Sequence, residues 1–123
     1  MNSYDFKNQV AVVTGGANGI GYSVAERLSK SGAIVKIWDL DIEEARKAAE
    51  TINAEAIECN ITDWLSVKTA TETSINSSER IDILVNSAGI AGPNETVVNY
   101  DNEAWDQIIS VNLTGTYYVN KSV

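Results

Sequence analysis

The stretch from Val10 to Gly21, VAVVTGGANGIG, constrains the fold more than any other part of the chain. Val10 to Thr14 is a short, continuous apolar run of largely β-branched residues, as expected of a strand buried on both faces. Glycines follow at once, and then Tyr22 to Lys30 (YSVAERLSK), where Val24, Ala25 and Leu28 share one helical face and Gly32 is placed to stop the helix. A helix in that position aims its free N–H groups and the positive end of its dipole at the loop, where an anion is stabilised. Within the loop, Gly15 permits a tight turn, Gly19 lets a ligand approach the backbone, and Gly21 lets the helix pack closely on the sheet. With Asn18 and Ile20 between them, these residues form the first candidate binding site.

The same alternation continues along the chain. Ala33 to Trp38 (AIVKIW) reads as a second strand ending at Asp39, followed by a helix over Ile42 to Ile52. Ala56 to Cys59 is a short third strand. Asp63 then caps a helix to about Ile75 with Trp64, Val67 and Ala70 as its apolar positions. Ile81 to Val85 is a fourth strand ending at Asn86. After the loop GIAGPNET, a long helix runs from about Asn102 to the end, with Trp105, Ile108, Ile109, Val111 and Leu113 as apolar positions. Four strand–helix alternations predict an α/β fold with a parallel, doubly wound sheet. The length of 123 residues suits one domain, 1–123.

Charge and composition remove whole classes of function. Nine basic against seventeen acidic residues give a net charge of −8, which argues against nucleic acid or an anionic membrane as partner. Histidine is absent, which removes Ser-His triads and the common zinc sites. Cys59 is the sole cysteine, so neither an intrachain disulfide nor a thiolate cage is expected, and no metal site is assigned. The N-terminal residues MNSYDFKNQ are polar, and no apolar run approaches about 18 residues. A cytoplasmic protein is the default expectation.

Asp39 stands at the end of the second strand, where an acid can accept hydrogen bonds from both ribose hydroxyls of an adenosine and repel a 2′-phosphate. Leu40, Asp41 and Ile42 follow it, and Asn18 in the loop is not basic either, so NAD is favoured over NADP. The loop spacing T-G-x-x-x-G-x-G departs from G-x-G-x-x-G and resembles the short-chain dehydrogenase/reductase family, whose loop is TGxxxGIG. Three further stretches carry the resemblance: Cys59–Asp63 is similar to D-V-T-D, Asn86–Gly89 (NSAG) to N-N-A-G, and Val111–Gly115 (VNLTG) to V-N-L-x-G. Asn60 replaces the family acid, and Ser87 replaces the second asparagine.

The resemblance implies a Rossmann-type sheet of order 3-2-1-4, truncated, as the N-terminal portion of a longer family fold. It implies that Asn60, through its uncharged amide oxygen, accepts from the adenine amino group, with the backbone of Ile61 also meeting the adenine, and that Asn86 helps to hold the central sheet. Ala88 and Gly89 would let the cofactor's ribose lie against the backbone. Asn112 would break its helix and, through its carbonyl, hold a water of the proton relay. Tyr117 and Lys121 imitate the family's Y-x-x-x-K pair, but that pair lies on the next helix, and Ala104 stands where its serine would be required.

The expected activity is hydride transfer between nicotinamide and a small alcohol or carbonyl substrate, as in 3-oxoacyl reductases and polyol or sugar dehydrogenases. This chain lacks the serine, tyrosine and lysine and is expected to be inactive alone; the parent enzyme is expected to be a homotetramer. Two alternatives stay open. One is a non-catalytic nucleotide-binding or interaction module, and the other is a Rossmann-like methyltransferase using S-adenosylmethionine.

Overall fold

The computed structural model describes residues 2–123. Its elements are β1 (Val10–Thr14), α1 (Gly19–Lys30), β2 (Ile34–Asp39), α2 (Ile42–Ile52), β3 (Glu55–Glu58), α3 (Trp64–Ser78), β4 (Ile83–Asn86), α4 (Asn102–Ile109) and α5 (Thr116–Ser122). A 3₁₀ turn at Val97–Asn99 precedes α4, and a π-helical segment, Ser110–Gly115, joins α4 to α5. The four strands form one parallel sheet in the order β3-β2-β1-β4. This is the Rossmann-type arrangement of order 3-2-1-4 expected from the sequence.

β1 is continuous in its apolar character because both of its faces are covered. Ala11 and Val13, with Val35 and Ile37 of β2, face the layer made by α1 and α2. Val12 and Trp38 face the other layer, where Val67 and Ala70 of α3 and Val119 of α5 complete the core. Fully burying a side chain such as Ile37 stabilises by roughly 1.5–3 kcal/mol. α2 presents Ala45, Ala48, Ala49 and Ile52 inward, and the small side chains let it lie close against β2.

Lys36 shares the α3 face of β2 with Trp38 and is only 4% exposed. A buried ammonium needs a partner. The parallel register sets Glu55 of β3 opposite Lys36 and supplies one. Ser77 Oγ lies 2.9 Å from the same ammonium. Trp38 Nε1 donates to Ser74 Oγ at 3.0 Å, and that hydroxyl donates to the Ala70 carbonyl at 2.9 Å.

The boundaries differ from the sequence expectation in informative ways. α3 continues past Ile75 to Ser78 because its serine hydroxyls bond back within the helix while serving Lys36 and Trp38, and it stops at Glu79 with φ +66°. β4 begins at Ile83 rather than Ile81, since its ladder with β1 starts at the Ala11–Ile83 pair. β2 and β3 are each displaced by one residue, the first toward its C-terminus and the second toward its N-terminus. The long final helix is not uniform. It widens into the π segment around Asn112, where Gly115 sits so close to Ile61 that an added Cβ would lie 2.8 Å from its side chain. No helix among the described residues is long and apolar enough to cross a membrane.

Candidate nucleotide-binding site

A cleft of about 360 Å³ opens at the carboxyl ends of β1, β2 and β4. Gly15 and Asn18 of the glycine loop form one wall, while Gly19, Ile20 and Gly21 stand outside the lining. Gly15 has φ +63°, its N–H donates to the Trp38 carbonyl at 2.8 Å, and a Cβ there would lie 2.8 Å from the backbone of Ala88. Only glycine gives this turn together with that approach to β4. α1 begins at Gly19 with Asn18 as N-cap, and the bond Tyr22 N–H to Asn18 O (3.1 Å) starts its ladder. The amides of Gly19, Ile20 and Gly21 therefore precede the intrahelical bonds and remain available at the positive end of the dipole. Asn18 lines the cleft and makes no side-chain cap bond. Gly21 packs tightest on the loop itself, where a Cβ would lie 2.3 Å from the Gly15 carbonyl oxygen, and next on Ser87 just past β4, whose Oγ would be 3.0 Å away.

Among the described residues lining the cleft, Asp39 is the one that is charged. Its Oδ2 accepts from Ala17 N–H at 3.2 Å and its Oδ1 from Asp41 N–H at 3.0 Å. Two backbone amides thus hold the carboxylate in one orientation and tie the glycine loop to β2. Thr14, not singled out in the sequence, joins the loop to β4 by accepting from the amides of Ser87 and Ala88, each at 3.2 Å. Its signal was its place immediately before Gly15.

The far wall carries Cys59, Asn60, Ile61 and Thr62. Asn60 Oδ1 accepts from Thr62 N–H at 3.1 Å and from Thr62 Oγ1 at 2.7 Å, and Asn60 N–H donates to Ser66 Oγ at 2.9 Å. Burial pushes the Cys59 thiol up to about 11, only partly offset by Ser66, so it stays protonated near neutral pH. Ala88, Gly89 and Ile90 line the β4 side. Asn86 lies outside the cleft lining and donates from Nδ2 to Asn120 Oδ1 at 2.9 Å.

Asn112 is placed by the π segment, and its side chain clasps Ile90: Nδ2 donates to the Ile90 carbonyl at 2.9 Å and Oδ1 accepts from the Ile90 amide at 2.8 Å. The Asn112 carbonyl accepts from Thr116 Oγ1 at 2.9 Å. Gln107 and Val111 close the cleft from one face of α4 and the π segment, and Leu40 closes it beyond Asp39. Sequence reasoning did not mark Gln107, although its spacing from Val111 puts both on one helical face. Tyr117 and Lys121 are not part of this lining; the ammonium lies 5.2 Å from the Trp64 ring centroid and 5.8 Å from that of Tyr117. No group of three or more potential metal ligands occurs among the described residues.

A parallel sheet with a glycine loop, free helical amides and an acid at the end of β2 defines a dinucleotide-type Rossmann fold. The family model for short chain dehydrogenase matches residues 9–123, and the chain belongs to that family. It is 36% identical over 129 aligned residues to a probable NADP-dependent mannitol dehydrogenase of Yarrowia lipolytica, covering 98% of this chain and 46% of that one. It is 33% identical over 119 residues to a 2-dehydro-3-deoxy-L-rhamnonate dehydrogenase (NAD(+)) of Sphingomonas sp., covering 96% and 48%. The crystal structure of a 3-ketoacyl-(acyl-carrier-protein) reductase from Brucella melitensis complexed with NADH superposes with a TM-score of 0.92 at 33% identity, covering 95% of this chain and 49% of that one. The chain spans about half the length of the curated relatives it matches.

Proposed function

We propose that residues 1–123 form the NAD-binding domain of an oxidoreductase that moves a hydride between nicotinamide and a small alcohol or carbonyl substrate. The observation that carries this reading is Asp39, fixed by two amides on a cleft whose lining residues include no lysine or arginine. The donor set fits the group: free amides of Gly19, Ile20 and Gly21 for phosphate, and a charged acceptor for ribose hydroxyls. A 2′-phosphate beside Asp39 would meet like charge with no cation among the lining residues to offset it. The relatives themselves divide on this point, one being named for NADP and another for NAD(+).

Asn60 and Ile61 would border the base, with Ala88 and Gly89 beside the nicotinamide-side ribose. Asn86 would secure the end of β4, and Asn112 would position Ile90. Bound nicotinamide supplies the hydride acceptor or donor. Neither the family serine nor a Y-x-x-x-K pair in the cleft occurs in residues 1–123, so proton transfer calls for groups from outside this stretch. Sugar alcohols, sugar acids and acyl thioesters remain the substrate classes suggested by the relatives' names. A tetrameric parent enzyme is what the family resemblance implies, and a cytoplasmic setting is what the polar N-terminal residues suggest.

The test is calorimetric titration of NAD and NADP into the full-length protein. NAD is expected to bind about 100-fold more tightly, the scale of one or two hydrogen bonds to a charged group. Asp39→Ala should weaken NAD by about tenfold or more and narrow that gap. Equal affinity for NAD and NADP in the unaltered protein would sink the NAD assignment.

A further inference from the structure

The base end of the cleft has lost the charge that the family pattern carries there, and the hydrogen bonds of Asn60 fix what replaces it. The Thr62 backbone amide can only donate, so the Asn60 atom 3.1 Å from it is the carboxamide oxygen. Thr62 Oγ1, at 2.7 Å, donates to that same oxygen. Two donors occupy its two lone-pair directions. The group left is the amide nitrogen, which has no protein partner among the described residues, on a half-buried side chain that lines the cleft. Asp63 does not compensate for the lost acid: its Oδ1 accepts from Leu65 N–H at 3.0 Å and caps α3, outside the cleft lining. The Thr62 hydroxyl is committed to Asn60, and the exposed carboxamide of Gln107, elsewhere in the cleft lining, can donate or accept.

We infer that Asn60 meets the nucleotide base as a hydrogen-bond donor, through Nδ2, and that the site therefore accepts a 6-oxopurine about as well as a 6-aminopurine. This rests on the dinucleotide reading given above. Adenine presents an amino group that only donates, beside N1 that accepts; hypoxanthine presents O6 that accepts, beside N1–H that donates. A carboxylate at position 60 accepts from the amino group and repels O6, which selects adenine. A donor nitrogen finds an acceptor on either base, N1 of adenine or O6 of hypoxanthine. The turn that holds Thr62 is thus also the device that sets which end of the carboxamide faces the ligand.

The experiment titrates NAD and nicotinamide hypoxanthine dinucleotide into the full-length protein and into Asn60→Asp. Asp has the shape of Asn and keeps an oxygen toward Thr62, so the substitution exchanges only the group facing the cleft. The unaltered protein is expected to bind the two dinucleotides within about threefold of each other. Asn60→Asp is expected to favour NAD by about tenfold or more, because one donor–acceptor pair becomes a charged match for adenine and a repulsion for O6. A preference for NAD of tenfold or more in the unaltered protein, unchanged by Asn60→Asp, would overturn the inference while leaving the dinucleotide reading intact. Failure of both dinucleotides to bind the unaltered protein would overturn both readings together.

Discussion

β1 and β4 are neighbours in the sheet and similar in sequence, VAVVT beside ILVN, yet the structure treats them differently. Every residue of β1 is buried, whereas Ile83, Leu84 and Val85 of β4 are each half-buried and Asn86 is exposed. The helices repeat the contrast. α2 buries Ala45, Ala48, Ala49 and Ile52, while α4 buries no residue at all. Val97 and Val98, between β4 and α4, are 94% and 92% exposed, and Trp105 on α4 is 58% exposed. Apolar sequence marks a surface that gains from being covered; whether it is covered depends on the neighbours. An unpaired edge strand with apolar surface beside it favours association. The β3-β2-β1 flank has both helical layers in place, so the stability of residues 2–123 should be concentrated there.

The sharpest way to break this contrast is a pair of tryptophan truncations. Trp38 is fully buried between β2 and α3, and Trp38→Ala should cost about 3–5 kcal/mol through lost burial and the cavity left behind. Trp105→Ala removes a side chain of the same size from the open flank and should change stability by no more than about 0.5 kcal/mol. Denaturant unfolding of both variants against the unaltered protein checks this. Equal costs would mean that Trp105 is covered in solution and that the two flanks do not differ.

These two residues also show how far the sequence was legible. The strand order came from the family resemblance. The glycine loop, Asp39 and the identity of each strand followed from local signals: a buried β-branched run, glycines at a strand-to-helix turn, an acid at a strand end. Those signals lie within a few residues of one another, so local physics decides them. What stayed hidden depends on pairing across the sheet. That Lys36 would be buried against Glu55 follows only from the β2–β3 register. That Thr14 would hold Ser87 and Ala88 requires β4 to lie beside β1. The resemblance pointed to the Asn112 carbonyl as the working atom, yet the side chain makes the longer-range contact, to Ile90. The full extent of α3 was missed because its serines look like helix breakers until Trp38 and Lys36 are seen to need them.

The two asparagines of the open flank, Asn86 and Asn112, differ in what they hold. Asn112 makes two hydrogen bonds to the backbone of Ile90, whereas Asn86 makes one, to the side chain of Asn120. Asn112→Ala should cost about 1–2 kcal/mol and Asn86→Ala about 0.5 kcal/mol or less, since a net hydrogen bond contributes roughly 0.5–1.5 kcal/mol and exposed ones fall at the low end. Amide exchange at Ile90 is the more selective readout. Its protection should fall about tenfold or more in Asn112→Ala, by loss of the clasp, and stay unchanged in Asn86→Ala. Unchanged protection in both would show that the loop after β4 is held by something other than Asn112.

The smallest expected effect lies at the seam between the flanks. Asp82 precedes β4, and its Oδ2 accepts from the Val10 amide at 2.8 Å, while its own amide donates to the Val10 carbonyl at 2.8 Å. Arg80 pairs with the same carboxylate. These hydrogen bonds, Arg80 first and the Val10 amide second, hold the Asp82 carboxyl below its ordinary 3.8. A carboxyl depressed in the folded state stabilises fully above its ordinary value and loses that contribution as pH falls through the lower folded one. Asp82→Asn keeps an oxygen for Val10 but removes the charge, so it should be slightly less stable than the unaltered protein at neutral pH. The difference should then close as pH drops below 3.8, because the unaltered protein loses there what the variant never had. Urea unfolding of both proteins from pH 7 down to about 2.5 measures this closure. A gap that stays constant across that range would mean that the Asp82 charge does not link the two strands, and that the β1–β4 ladder and the contacts of Thr14 join the covered flank to the open one without it.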